Sequence, residues 1–188
     1  MERISEEYKH FVEKEAKYEL FAGRHRLNAI VEKNLKEICA DFERTFLRAI
    51  ERAVLLQSPP VTHMVYSLLV HRMIKGEAPF LVQCFNERQM MAEEFFAMEP
   101  LLSSWYETWE TLKRLSKKYV GKVPAIYVEQ MMIYEAENIL KLFCFIGAIS
   151  LQKMKNSQEM LTLPIGKGFA VSAGFFKAMQ KEIFEDTE

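Results

Sequence analysis

Apolar residues recur at steps of three and four over most of this chain, the spacing of helices with one buried face. The longest run goes from about Arg24 to Leu56. Leu27, Ile30, Val31, Leu35, Ile38, Cys39, Phe42, Phe46, Ala49, Ile50 and Ala53 form one stripe there. The opposite side carries Glu32, Lys33, Lys36, Glu37, Arg44, Arg48 and Arg52, with Glu32 and Lys36 in the favourable i,i+4 order. Such a helix is roughly 50 Å long. Upstream, Ser5 ahead of Glu6 and Glu7 predicts a helix start, since serine caps free N–H groups and acids suit the positive end of the helix dipole. Phe11, Val12, Tyr18 and Phe21 continue the apolar pattern, and Gly23 reads as a kink or break. Ser58-Pro59-Pro60 ends this long N-terminal helical segment, 1–57, because proline cannot donate to a helix ladder.

The middle of the chain is less regular. Residues 61–75 fit a helix through Val61, Met64, Val65, Leu68, Leu69 and Ile74, and fit a strand equally through Val65–Val70. Phe80–Phe85, bounded by Pro79 and Asn86, predicts a short strand, and with the preceding run a small hairpin over about 64–85. Residues 87–98 return to helical character. Pro100 fits the first turn of a further helix carrying Leu102, Trp105, Trp109, Leu112 and Tyr119 and ending at Gly121.

Pro124 opens a helix to about Met154 that is apolar on all sides from Ile139 to Leu151, with Lys141 its one charge. That pattern predicts a centrally buried helix, and the run is short of the roughly 20 apolar residues a membrane span requires. Residues 155–188 read as an irregular tail, with turns and short strands from Met160 to Val171 and a brief helix around Phe175–Phe184. The expected fold is mainly α: one helical domain over 1–188, a bundle around the buried helix at about 124–154, with the 64–85 hairpin at its side.

Composition narrows this reading. Seven glycines and six prolines in 188 residues leave room for long helices and too few turns for a β-sandwich. Apolar residues at 49% exclude a disordered chain. The net charge of −1 lacks the basic excess of a nucleic-acid binder. Cys39, Cys84 and Cys144 are odd in number and widely spaced, so they read as free thiols rather than a disulfide framework or zinc cluster. The charged start, Met1-Glu2-Arg3-Ile4-Ser5-Glu6-Glu7, has no apolar core for a secretory signal, which predicts a cytoplasmic protein.

No catalytic or metal motif stands out, and no cofactor is expected. A di-iron bundle requires two Glu-x-x-His motifs, and Glu7–His10 is the single such spacing. The four histidines, His10, His25, His63 and His71, all precede residue 72. Cys84 with His71 is the minimal nucleophile–base pairing available across the hairpin. Gly121-Lys122 and Gly166-Lys167-Gly168 lack the remaining residues of a P-loop. Among close carboxylates, Glu135 and Glu137 lead into the buried helix about 200° apart, so one of them points inward. Lys113, Lys117, Lys118 and Lys122, with Arg114 and Tyr119, form a local basic cluster suited to phosphate or to an acidic partner. Trp105, Trp109 and Glu135 are the candidate lining of an apolar ligand pocket.

The stretch from Tyr66 through Gly121 resembles uncharacterised bacterial proteins of similar size, a resemblance that implies no activity. The expected function is non-enzymatic: protein–protein interaction or self-association in the bacterial cytoplasm, without nucleic acid and without a membrane span. The long amphipathic helix and the surplus of aromatics and of methionine, 11 in all, support it. The alternative is a sensor holding a small molecule in an apolar pocket inside the bundle.

Overall fold

The computed structural model describes residues 6–56, 60–87, 89–178 and 180–186. The expected helix start at Ser5 and the Ser58-Pro59 part of the expected break lie outside them. In chain order the elements are α1 (Glu6–His10), a π-helix (Phe11–Ala16), α2 (Lys17–Leu56), β1 (Val61–Leu68), α3 (Val70–Ile74), β2 (Phe80–Phe85) and β3 (Met90–Phe96). They continue with α4 (Glu99–Ser116), a 3-10 turn (Lys117–Tyr119), α5 (Ala125–Met154), α6 (Gln158–Leu161), β4 (Ile165–Phe175) and β5 (Lys181–Glu185). No helix among the described residues is long and apolar enough to cross a membrane.

The chain divides into two compact units, Met1–Asn34 with Glu99–Ile139, and Leu35–Met98 with Leu140–Glu188. The first unit is helical. Phe11, Leu27, Val31, Leu101, Trp105, Trp109, Leu112, Val128 and Met132 are buried there at helical spacing. Trp105 and Trp109 stack with centroids 6.1 Å apart, and the Trp105 indole Nε1 donates to the Met132 carbonyl at 3.3 Å. Gly23 does not end its helix, since α2 runs through it. A Cβ at Gly23 would sit 2.3 Å from Thr108 Oγ1, so the glycine is what allows α2 and α4 to approach.

The second unit overturns the expected helical bundle. It is built on a five-stranded mixed sheet in the order β3-β2-β1-β4-β5. β1–β2, β2–β3 and β4–β5 are antiparallel, and β1–β4 is parallel. The expected hairpin at about 64–85 corresponds to β1 and β2, which do pair, but α3 lies between them and three further strands complete the sheet. β3 falls where helix was expected, because Met, Ala and Glu favour helices in isolation while pairing with β2 decides the outcome. β4 and β5 occupy the segment expected as an irregular tail, and the helix expected around Phe175–Phe184 is a β4–turn–β5 connection. The chain remains mainly α, with α2 and α5 the dominant helices.

One sheet face is the core of this unit. Met64, Tyr66, Phe80, Val82, Cys84, Phe169 and Val171 alternate onto it and are nearly or fully buried. Phe143 of α5 lies against three of its aromatic neighbours: Phe80 stacked at 4.2 Å, Tyr66 at 5.1 Å and Phe42 at 5.6 Å. The centre of α5 is therefore buried along one side, at Phe143, Ile146 and Leu151, while Phe145 stays 56% exposed.

Candidate functional site

The most exposed aromatic surface lies in the first unit, where the π-helix runs into α2. Val12, Leu20, Phe21 and Met131 line an open groove of about 1010 Å³, edged by Tyr18 and by charged Glu13, Lys14 and Lys17. Tyr18 is 75% exposed and Phe21 60%, values unusual for aromatics on an ordered helix. A second depression of about 330 Å³ shares Leu20, Arg24 and Met131 and adds Tyr127 and Tyr134 of α5. A π-turn within a helix recurs at functional sites, because it re-aims the side chains of one turn. Here it supplies Val12 through Glu15 to the groove while Phe11 and Ala16 turn inward.

Arg24 and Glu135 lie at the meeting of these depressions. Arg24 donates from Nε to Glu135 Oε2 at 3.0 Å and from Nη2 to Oε1 at 2.5 Å. Asn138 Nδ2 adds a bond to Oε2 at 2.9 Å. The Glu135 side chain is 9% exposed and that of Arg24 51%, so the guanidinium covers the buried carboxylate from the solvent side. The hydrogen bond to Glu135 is the largest influence raising the Arg24 guanidinium above its ordinary value. Bidentate pairing fixes the orientation of α2 against α5 within this unit, and its partial exposure keeps its energetic contribution modest. Of the two carboxylates expected to diverge, Glu135 is the buried one and Glu137 is half-exposed.

The other sequence candidates are distributed as follows. Trp105 and Glu135 border a narrow, half-enclosed gap of about 10 Å³, too small for more than about one water molecule. Trp109 does not line it and packs beneath the Lys113 ammonium, 5.2 Å from the ring centre. Three of the four cluster lysines meet acids of the same unit: Lys113 with Glu110 at 2.8 Å, Lys118 with Glu15 at 3.6 Å and Lys122 with Glu7 at 2.7 Å. Lys117 is exposed on the 3-10 turn. The local positive field is thereby largely balanced by the N-terminal helices.

In the second unit, His71 is exposed on α3 while the Cys84 thiol is buried and faces the Ala49 carbonyl at 3.6 Å. Burial pushes the Cys84 thiol up to about 12, with the Glu94 carboxylate adding to the shift, so it is no nucleophile at neutral pH. His63 Nε2 and Ser172 Oγ, 2.9 Å apart on adjacent strands, form a contact the sequence did not reveal. No acid among the described residues is hydrogen-bonded to the His63 ring, so the pair lacks the third group that orients a catalytic base. No three of the described His, Cys, Asp and Glu residues gather closely enough to hold a metal ion.

The Cys84 shift gives an expected pH dependence. Its folded value lies above the ordinary 9.0, so the stabilisation is complete below pH 9 and is lost as pH rises toward about 12. Between those limits wild-type stability should fall about 1.4 kcal/mol per pH unit more steeply than that of Cys84→Ala. Urea unfolding of both proteins from pH 8 to 11 measures the difference, and parallel slopes would contradict it.

Searches among protein-family models, curated proteins and solved structures return nothing that matches this chain.

Proposed function

We propose that the protein acts by binding another protein chain through the aromatic groove of its first unit. The observation that carries this reading is the concentration of Tyr18, Phe21, Tyr127 and Tyr134 at the rims of two connected depressions, all more than 40% exposed. Aromatic side chains dominate binding energy at protein interfaces, and four of them gathered on one exposed face support this reading. The setting we propose is the reducing bacterial cytoplasm, in line with three cysteines that form no disulfide. The basic cluster, already engaged by acids of its own chain, is at most a secondary contact.

The test is photo-crosslinking in the cells that make the protein, with p-benzoylphenylalanine in place of Tyr18. A covalent adduct to a protein chain, identified by mass spectrometry, is expected from this position and not from Val120, which is 81% exposed outside the groove. Adducts absent from position 18, or equally abundant from both, would refute the reading.

A second reading is a small apolar ligand in the same groove, favoured by its volume, which reaches the upper end of the range for ligand pockets, about 300–1,000 Å³. Its place is then this surface groove rather than the 10 Å³ gap beside Trp105. Native mass spectrometry of the freshly purified protein separates the two readings by the mass that travels with it.

A further inference from the structure

We infer that the partner at this groove is a second copy of the same chain, docked antiparallel along the outer face of the π-helix and α2. The inference rests on the reading above, that this face binds a protein chain.

Tyr18, Phe21, His25, Asn28 and Glu32 follow one another on α2 at steps of three, four, three and four, and Lys14 precedes them on the π-helix, where it borders the same groove. Every one of them is exposed. Residues at these steps share one face of a helix, and on this face two aromatic residues are flanked by polar and charged ones. It is distinct from the buried stripe of Leu27 and Val31, which serves the chain's own core. From Tyr18 to Glu32 the seam extends about 21 Å along α2 at about 1.5 Å per residue. Phe21 and His25 already lie side by side on it, ring centres 4.4 Å apart.

The residues along the seam decide the occupant and its direction. In an antiparallel pair related by a two-fold axis between Phe21 and His25, each layer joins positions whose numbers sum to the same value. Phe21 then faces His25 of the partner subunit, Tyr18 faces Asn28 of the partner subunit, and Lys14 faces Glu32 of the partner subunit. The symmetry makes each layer twice, so both ends of the seam carry a Lys–Glu pair and the aromatic residues fill its centre. A parallel pair in register would instead set lysine against lysine at one end and glutamate against glutamate at the other, which is repulsive. Neither Lys14 nor Glu32 is held in an ion pair by its own chain among the described residues. A self-complementary patch of this kind is what a closed two-fold dimer requires. The seam is short beside a standard interface of about 1,600 Å², so a reversible, concentration-dependent association is expected.

Sedimentation equilibrium of the full chain between about 1 and 100 µM tests it. The wild type is expected to dimerise in that range. Lys14→Glu alone and Glu32→Lys alone should each weaken the dimer by at least about tenfold, because each sets like charges against each other at both ends. Mixing the two variants should restore dimerisation, since every layer of the mixed pair is complementary, and the double variant should self-associate like wild type. Far-UV circular dichroism shows whether each variant is folded. A wild type that stays monomeric overturns the inference, as does a dimer indifferent to both single substitutions or one that mixing fails to restore. Crosslinking from position 18 to a different protein, with a monomeric wild type, would leave the interaction reading standing and remove self-association. Absence of any adduct would remove both.

Discussion

Replacing Phe143 by alanine is expected to lower the unfolding free energy by about 3–5 kcal/mol. The side chain is fully buried and its ring meets Phe42, Tyr66 and Phe80, each across a different face or edge. Removing it deletes the apolar surface itself and leaves a cavity among rigid rings that cannot collapse to fill it. Against a typical total of about 5–15 kcal/mol, such a loss leaves the protein close to its unfolding threshold. Phe145, two positions along the same helix and 56% exposed, provides the internal comparison. Phe145→Ala should cost no more than about 0.5 kcal/mol. Denaturant unfolding of the two variants reads both numbers, and costs of similar size would show that Phe143 does not anchor the sheet to α5.

Gly23→Ala is expected to destabilise by about 2–3 kcal/mol. The new methyl would lie 2.3 Å from Thr108 Oγ1 and 3.0 Å from its Cγ2, distances that force α2 and α4 apart. The sign of the effect is the discriminating observation. Were Gly23 a hinge in an otherwise uncrowded helix, alanine would stabilise by about 1 kcal/mol through helix propensity alone. Thr108→Ala removes both clashing atoms. It also forfeits the hydrogen bonds with Arg26 at 3.0 Å and with the Ser104 carbonyl at 3.2 Å, at a cost of about 1 kcal/mol. The double variant should therefore be more stable than the sum of the singles by about 1–2 kcal/mol, a coupling that a double-mutant cycle measures directly. Strict additivity would place the strain elsewhere.

The helices were legible in the sequence wherever apolar spacing carried them. α5 begins at Ala125 and ends at Met154, close to the expected 124–154, because its run of apolar residues has few alternatives. α2 is longer than expected at its start because glycine in a helix has two meanings, a break or a close approach, and only the position of Thr108 separates them. The sheet was legible in part. β2, rich in Phe, Leu and Val, announced itself. β4 begins within the stretch expected to hold turns and short strands up to Val171, and its continuation to Phe175, unexpected from the sequence, is held by β1 on one side and β5 on the other. β3 was hidden by residues that favour helices.

The candidate groove was harder still. Tyr18 and Phe21 read as core residues from their spacing, and their exposure depends on which side of α2 the rest of the unit occupies. Arg24 and Glu135 stand 111 positions apart, beyond the reach of any local pattern.

The parallel pairing of β1 with β4 also shapes how the molecule is made. Met64 pairs with Val171, 107 positions further along. On the ribosome the β1–β2–β3 meander emerges long before β4 exists, with the inner edge of β1 open and its amides seeking a partner. At about 5–20 residues per second, several seconds pass before β4 can fill that place. The nascent chain is thus most vulnerable to aggregation while it holds a sheet that is complete on one side and unfinished on the other.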